Sequence, residues 1–573
     1  MIATMPLRPL LSFFCLLALA GCASHAPQPS TAPTPPVEDT AAAEPAYTPF
    51  PPKTLESILL AEFAGHRQRA DIALAGYVQQ AVATRDPGIV ARASTIAQLL
   101  NQPQSLELSR IWTEVEPDNA DAWYLLVLSC LRQQKFDQLM PALDRLLALQ
   151  PEADLEQMFL SAVPANPAAR DSLLKALDGV GQHHQSSPHI FFARALVQSQ
   201  NGTLEPALEN ARKARQLRPQ STQTTLLEAK LLADLGRNAE ASRLLADAVK
   251  AQPESQSLRL NYARTLVRVR DMKGAEREFG TLVNKHPSDD SLRLGLALTA
   301  FENRNDVLAQ SELEILTNSE EHSDEAFFYL GKLAHRQGKA DEAIAAYENV
   351  PPGQHYLPAM AEISHLLLSQ HQPEESRRHF AEARTRFPDL RISLYQLEAE
   401  LLSNRKDLVG ARALLDEALQ LTPGDTRLLL SRALVAERQN QLEQFETDVR
   451  EVLRMEPDNA SALNALGYTL LDRTGRIDEA EAYIRRALAL KPDDPAILDS
   501  IGWVKFKRGD TEGALTDLRR AYQLYPDDEI AAHLGEVLWE RGQREEARKV
   551  WNESLRQHPD SDYIPRTRMR LDP

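Results

Sequence analysis

An all-α array of stacked helical hairpins, a solenoid without sheets, is the fold this sequence predicts. Three observations carry the prediction. A small residue, then an Ala, then a Pro recur at fixed intervals between residues 460 and 559. Hydrophobic content is 43%, enough for a long core, and no apolar–polar alternation runs far enough to specify a sheet. The pattern also leaves no interruption of the ~100 residues that a separate globular domain needs.

The ladder is clearest in three successive units. The first carries Leu463, Leu466 and Gly467, then Ala480, Ile484, Ala487 and Pro492. The second carries Leu498, Ile501 and Gly502, then Ala514, Leu518, Ala521 and Pro526. The third carries Leu534 and Gly535, then Ala547, Trp551, Ser554 and Pro559. From Ala to Pro is 12 residues each time. From Gly to Ala is 12, or 13 where the turn 472–476 holds one more residue. Two antiparallel helices of about four turns fit this spacing. The small residues sit where the backbones come closest, and Pro ends the second helix because it lacks an N–H and clashes with a continuing turn. A period of 34 residues with Gly and Ala at these places resembles the tetratricopeptide repeat.

The register extends backwards. Pro457, Pro423, Pro388, Pro287, Pro253, Pro219, Pro151 and Pro117 keep it, with neighbouring steps of 34 or 35 residues and longer gaps close to multiples of that. In phase come Ala433, Ala399 with Ala411, Ala263 with Ala275, Ala229 with Ala241, and Ala195 with Ala207. Gly331 and Ala343 stay in phase although the unit before them ends at Glu321. Trp123 and Leu126 open an earlier unit.

Residues 1–21 read as a lipoprotein signal peptide. Arg8 supplies the positive flank, and Leu10 to Ala20 is too short an apolar run for a settled membrane span. It ends Leu19-Ala20-Gly21-Cys22, a lipobox, so cleavage is expected between Gly21 and Cys22, with acyl chains on Cys22. Two or more chains anchor stably where one is marginal. Ala23 and Ser24 follow, without the Asp that tends to hold lipoproteins in the inner membrane, which points to the outer membrane. Residues 22–52 form a tether: nine Pro lie between 23 and 52, separated by Ala, Ser and Thr. Such a segment stays extended, with a reach of up to roughly 90 Å. Cys15 leaves with the signal, so Cys130 is the one free thiol of the mature chain; its apolar setting makes it a buried small hydrophobe.

Residues 53–150 should hold the first, atypical helical units, since terminal repeats cap a stack. Thr54 reads as the N-cap of the first helix; a second is expected from Ala70 to about Ala83 and a third from about Ile89. Residues 151–188 form an irregular unit, with loops expected at 163–167 and 181–185. Val350-Pro351-Pro352-Gly353 should cut short the second helix of its unit. The array proper spans 189–562. Residues 563–573 form a basic tail, with Arg566, Arg568 and Arg570 expected to pair with the chain's own acids.

Charge and motifs narrow the function. With 81 Asp+Glu against 64 Lys+Arg, the net charge of −17 argues against nucleic acid as a partner. No G-x-S-x-G, H-E-x-x-H, P-loop or dinucleotide fingerprint is present, so neither an enzyme nor a cofactor is expected. His183, His184 and His189 have no Cys or carboxylate at ligand spacing, and read as surface histidines on a Pro-flanked loop, not as a metal site.

What remains is surface. In tetratricopeptide arrays four positions on each unit's first helix face the groove. On this chain they fall at Ser461, Asn464, Tyr468 and Leu471; at Ala496, Asp499, Trp503 and Phe506; and at Glu529, Ala532, Glu536 and Trp539. Farther back come Glu325, Phe328, Lys332 and His335, then His189, Phe192 and Leu196. Tyr468, Trp503, Phe506 and Trp539, with Phe328 and Phe192, are the candidate binding aromatics, because such side chains supply large contact area at small entropic cost. The competing reading is that they pack on neighbouring units.

Lipobox, Pro-rich tether, the junction Phe50-Pro51-Pro52-Lys53-Thr54-Leu55-Glu56-Ser57 and the long repeat series together resemble the bacterial outer-membrane tetratricopeptide lipoproteins that serve as adaptors. The resemblance implies a periplasm-facing adaptor. It would bind a carboxy-terminal processing protease and present peptidoglycan hydrolases to it as substrates. The repeats leave open an alternative, a scaffold for pilus, secretin or exopolysaccharide assembly, since one fold serves many functions.

Overall fold

A computed structural model describes residues 50–184, 186–559 and 561–571. The signal segment, Gly21, Cys22 and all of the tether before residue 50 lie outside the described residues. Among the described residues there are 31 α-helices and no strand, and no helix is long and apolar enough to cross a membrane. Packing divides the chain into two compact units at Ser129/Cys130, inside the helix Ala120–Arg132.

The first unit contains the helices Pro52–His66, Ala70–Thr84, Pro87–Leu99 and Ser105–Val115 around Ala61, Tyr77, Ala81, Val90, Ala93, Leu108 and Trp112. The expected cap at Thr54 is corrected: the helix starts at Pro52, where a missing N–H costs nothing, and Thr54 is a buried residue of its first turn. The third helix does have a side-chain cap, Asp86, which accepts from the Ile89 N–H.

The second unit is a run of helical hairpins. In regular repeats the first helix has 13 residues and the second 14, as in Pro495–Lys507 and Thr511–Leu524. The ladder's small residues sit at the close approaches. A Cβ on Gly502 would lie 2.8 Å from Leu518 Cγ, and one on Gly535 would run into the Trp551 indole. The in-phase Pro follows the last helical residue, as in Ile477–Leu490, Lys491, Pro492. The extra residue at 472–476 is absorbed as a π-turn over Leu470–Thr474, closed by Gly475 at φ 68°.

Each tight turn between paired helices contains one residue in the left-handed region. These residues are Gly202, Gly236, Arg270, Arg304, Gly338, His371, Lys406, Asn440, Gly475, Gly509 and Gly542. The same turn occurs in the first unit at Gln68 and Asn101, and again at Gln134.

The irregular unit consists of a 7-residue helix, Glu156–Ala162, a break, and a 17-residue helix, Pro167–His183, capped by Asn166. The break at residues 163–166 falls where a loop is expected. The second expected loop is corrected: helix continues through His183, and Gln185 lies outside the described residues. The short helix is pinned by Glu156, a buried carboxylate that accepts from Ser221 Oγ at 2.6 Å and Thr224 Oγ1 at 3.1 Å. Ala340–Glu348 stops at 9 residues, ahead of the Pro pair. The C-terminal segment, read as a tail, is a helix, Tyr563–Leu571, packed on the helix Asp528–Glu540.

Candidate protein-binding face

The first-helix face of the last repeats is where the structure concentrates unusual chemistry. Of the six candidate aromatics, four are buried rather than lining an open groove: Phe192, Phe328, Trp503 and Trp539. Tyr468 and Phe506 are half-buried. Phe192 is fully enclosed, and Phe328 packs against Tyr329, Tyr347 and His355, with the Lys332 ammonium 5.3 Å from its ring centre. Trp539 stacks on Trp551 at 5.7 Å, flanked by the guanidinium groups of Arg544 and Arg548. The burial has a physical cause. A large apolar ring on a first helix gains more from packing onto the next hairpin than from waiting in water.

Tyr468, Trp503 and His533 come from three successive first helices and meet. The His533 ring stacks on Trp503 at 4.1 Å, with Phe506 at 5.2 Å and the Lys507 ammonium at 4.3 Å from the same indole. His533 Nδ1 lies 2.9 Å from Asp499 Oδ2, and the Tyr468 hydroxyl donates to Glu529 Oε1 at 2.7 Å. That hydroxyl also stands 3.4 Å from His533 Nε2. Asp499, His533 and Glu536 are all buried. Repeat stacking assembles the group: the local step is 33 residues, so His533, 34 residues after Asp499, stands one position past the equivalent of Asp499 and reaches back to it.

Electrostatics follow from burial and proximity. Burial pushes the His533 imidazole down. The charges of Asp499, Glu529 and Glu536 outweigh it and hold its pKa above the usual value. Burial raises the Glu529 carboxyl, against the opposing pull of His533 and Tyr468. Burial, then Glu529, raise the Tyr468 phenol. A phenol, an imidazole and carboxylates so arranged fix orientation across three repeats.

Elsewhere the histidine reading changes. His189 is buried in the helix Pro188–Gln200, and burial depresses its pKa. His184 stands 3.1 Å from Asp144. Among the described residues no group of three His, Cys, Asp or Glu is arranged to hold a metal ion. Cys130 is buried and free, its thiol pushed up to about 12 by burial and then Asp137.

The reading from sequence had Asp499 and Glu529 among its groove positions but missed His533. The available signal was an Asp and a His one repeat apart beside a Trp. A long run of stacked helical hairpins is the build of a protein-interaction scaffold. Residues 111–297, 294–353, 362–426, 427–495 and 505–564 match the tetratricopeptide repeat. The chain is 42% identical over 529 residues to the TPR repeat-containing protein PA4667 of Pseudomonas aeruginosa, covering 91% of this chain and 89% of that one. It belongs to the tetratricopeptide repeat family. Similar solved structures include Naa15/Naa10 bound to HypK-THB (14% identity, 88% of this chain and 81% of that one, TM-score 0.38) and yeast Tom70 (13% identity, 90% and 99%, TM-score 0.32).

Proposed function

We propose that this chain is a lipid-anchored adaptor at the periplasmic side of the outer membrane. It binds a carboxy-terminal processing protease and presents peptidoglycan hydrolases for cleavage. One observation carries the reading: the sequence Leu19-Ala20-Gly21-Cys22 and a Pro-rich tether precede a long ladder of binding-type hairpins. The resemblance to protease-adaptor lipoproteins supplies the partner class. The mechanism is effective concentration: with protease and client on one scaffold, a bimolecular encounter becomes a local one. A preference for the protease's active state would add a population shift.

Affinity capture from an envelope extract with the chain lacking residues 1–49 tests the partners. It is paired with cleavage of a purified hydrolase by a purified carboxy-terminal processing protease, with and without the chain. Capture of the protease and at least tenfold faster cleavage are expected. Recovery of secretin or glycan-export subunits with no protease would overturn the reading. Cys22→Ser should move the chain from the membrane to the soluble fraction, and retention at the membrane would remove the anchor.

A further inference from the structure

The C-terminal helix lies on the face just described. Ile564 is fully buried, Thr567 nearly so, and Leu571 packs on the same core; spaced i, i+3 and i+7, they form one side of the helix. The other side is basic and wet, with Arg566 79% exposed and Met569 77%. Arg570 pairs with the buried carboxylate Glu536. Tyr563 feels the carboxylates of Glu529 and Asp528 and the guanidinium of Arg438. Asp562 reaches to 3.8 Å from Lys406, two repeats before the Tyr468 helix. Glu529 and Glu536 are groove positions of the last unit, so this chain's own helix covers them.

Its hold is slight. A helix of 9 residues does not stand alone in water. Two buried residues, Ile564 and Thr567, the packed Leu571, the Arg570–Glu536 ion pair and a hydrogen bond from Arg568 to Asn552 anchor it, whereas the helix beneath buries ten residues. What makes it selective is Glu536: a buried carboxylate stripped of its guanidinium is costly, so whatever replaces this helix must bring a cation to the same place.

We propose that the helix Tyr563–Leu571 is a displaceable occupant of the groove face of the last repeats, and that this face accepts from a partner protein a segment of the same chemistry. That segment is a short basic amphipathic helix, with an aliphatic side chain in the place of Ile564 and a guanidinium in the place of Arg570. The inference rests on the hairpin scaffold alone and holds whether or not the partner is a protease.

A fluorescent peptide with the sequence of residues 561–573 is the probe, titrated into the full chain and into Ile564→Asp/Arg570→Ala by anisotropy. The double variant, its helix released, should bind at least tenfold more tightly than the natural chain. Binding should weaken with salt, and adding Glu536→Gln should abolish it. Equal, weak binding to both chains, with the variant's helical circular dichroism intact, would overturn the proposal. Hydrogen exchange on the natural chain gives an answer even where the variant misfolds. Amides of 563–571 should exchange by local opening, well before those of Asp528–Glu540. Exchange of both helices in one step would make the segment an integral cap and end the proposal.

Discussion

The first helix, Pro52–His66, leaves Leu55, Leu59, Leu60 and Phe63 between 48% and 63% exposed, whereas the last hairpin is covered by a helix whose Ile564 is wholly buried. Both ends belong to one chain built from one kind of hairpin. An interior hairpin buries its two faces on two neighbours; a terminal one has a face left over. At the C-terminal end the chain lays a helix on the groove side of Asp528–Glu540 and knits three first helices together through Tyr468, His533 and Asp499. At the N-terminal end the outer face of the first helix stays apolar and open among the described residues. Equivalent substitutions should therefore have very different consequences at the two ends.

The largest contrast is between Trp551 and Phe63. Trp551 is fully enclosed under Gly535 and against Trp539, so Trp551→Ala should destabilise the C-terminal repeats by about 3–5 kcal/mol. Phe63→Ala removes a ring 63% exposed and should change stability by no more than about 0.5 kcal/mol. Urea unfolding followed by circular dichroism measures both. Similar losses at the two sites would break the comparison.

Two glycines sharpen it. Gly535→Ala forces a methyl group into the Trp551 indole and should cost about 1–3 kcal/mol. Gly65→Ala places its methyl group no nearer than 3.9 Å, to Ala73 Cβ, and should stabilise the first helix by up to ~1 kcal/mol. Opposite signs in thermal unfolding are the expected result.

Acidity should also separate the ends. His533 and Glu529 both have raised pKa values, so folding favours their protonated forms. Stability from a raised group is complete below its unfolded value and lost as pH rises through its folded one. The unfolded value for His533 is near 6.5, so protection of Asp528–Glu540 should fall as pH rises above about 6.5. One proton sets the limit, on the order of 1 kcal/mol per pH unit. His533→Gln should flatten that slope. Hydrogen exchange, corrected for intrinsic rates, reads this helix against Ala70–Thr84, where no comparable drop is expected.

How much of this was legible in the sequence depends on whether a residue's role is local. Gly502, Gly535, Ala514 and Pro526 act within one hairpin, and the 34-residue period displays them. The role of Trp503 is set by the next repeat. An aromatic residue at a groove position reads the same whether it faces a partner or stacks on His533. The C-terminal helix was illegible for a similar reason: Ile564, Thr567 and Leu571 show their common side only once Glu536 is known to wait for Arg570. The turn residue is a third case. Its backbone demand is constant, yet Gln, Asn, Arg, His and Lys together occupy it more often than Gly, so composition hides the repeat.

That turn yields the smallest predicted contrast. The first unit closes its turns with Gln68 at φ 60° and Asn101 at φ 50°, and the last repeats with Gly475, Gly509 and Gly542 at φ 68–88°. A left-handed backbone costs an ordinary L-residue about 1–2 kcal/mol, because Cβ crowds the following carbonyl. Glycine escapes that clash but loses about 0.5–1 kcal/mol more conformational entropy on folding. The two terms nearly cancel, so Gln68→Gly should stabilise the first unit by only about 0.5 kcal/mol. Gly542→Ala meets no atom within 4 Å and so adds no packing clash to the same two terms. With the entropy term reversed as well, it should destabilise the last repeat by about 0.5 kcal/mol. A larger gain at Gln68 would mean that the open end is strained as well as uncovered, and the contrast between the ends would then lie in the backbone as much as in the packing.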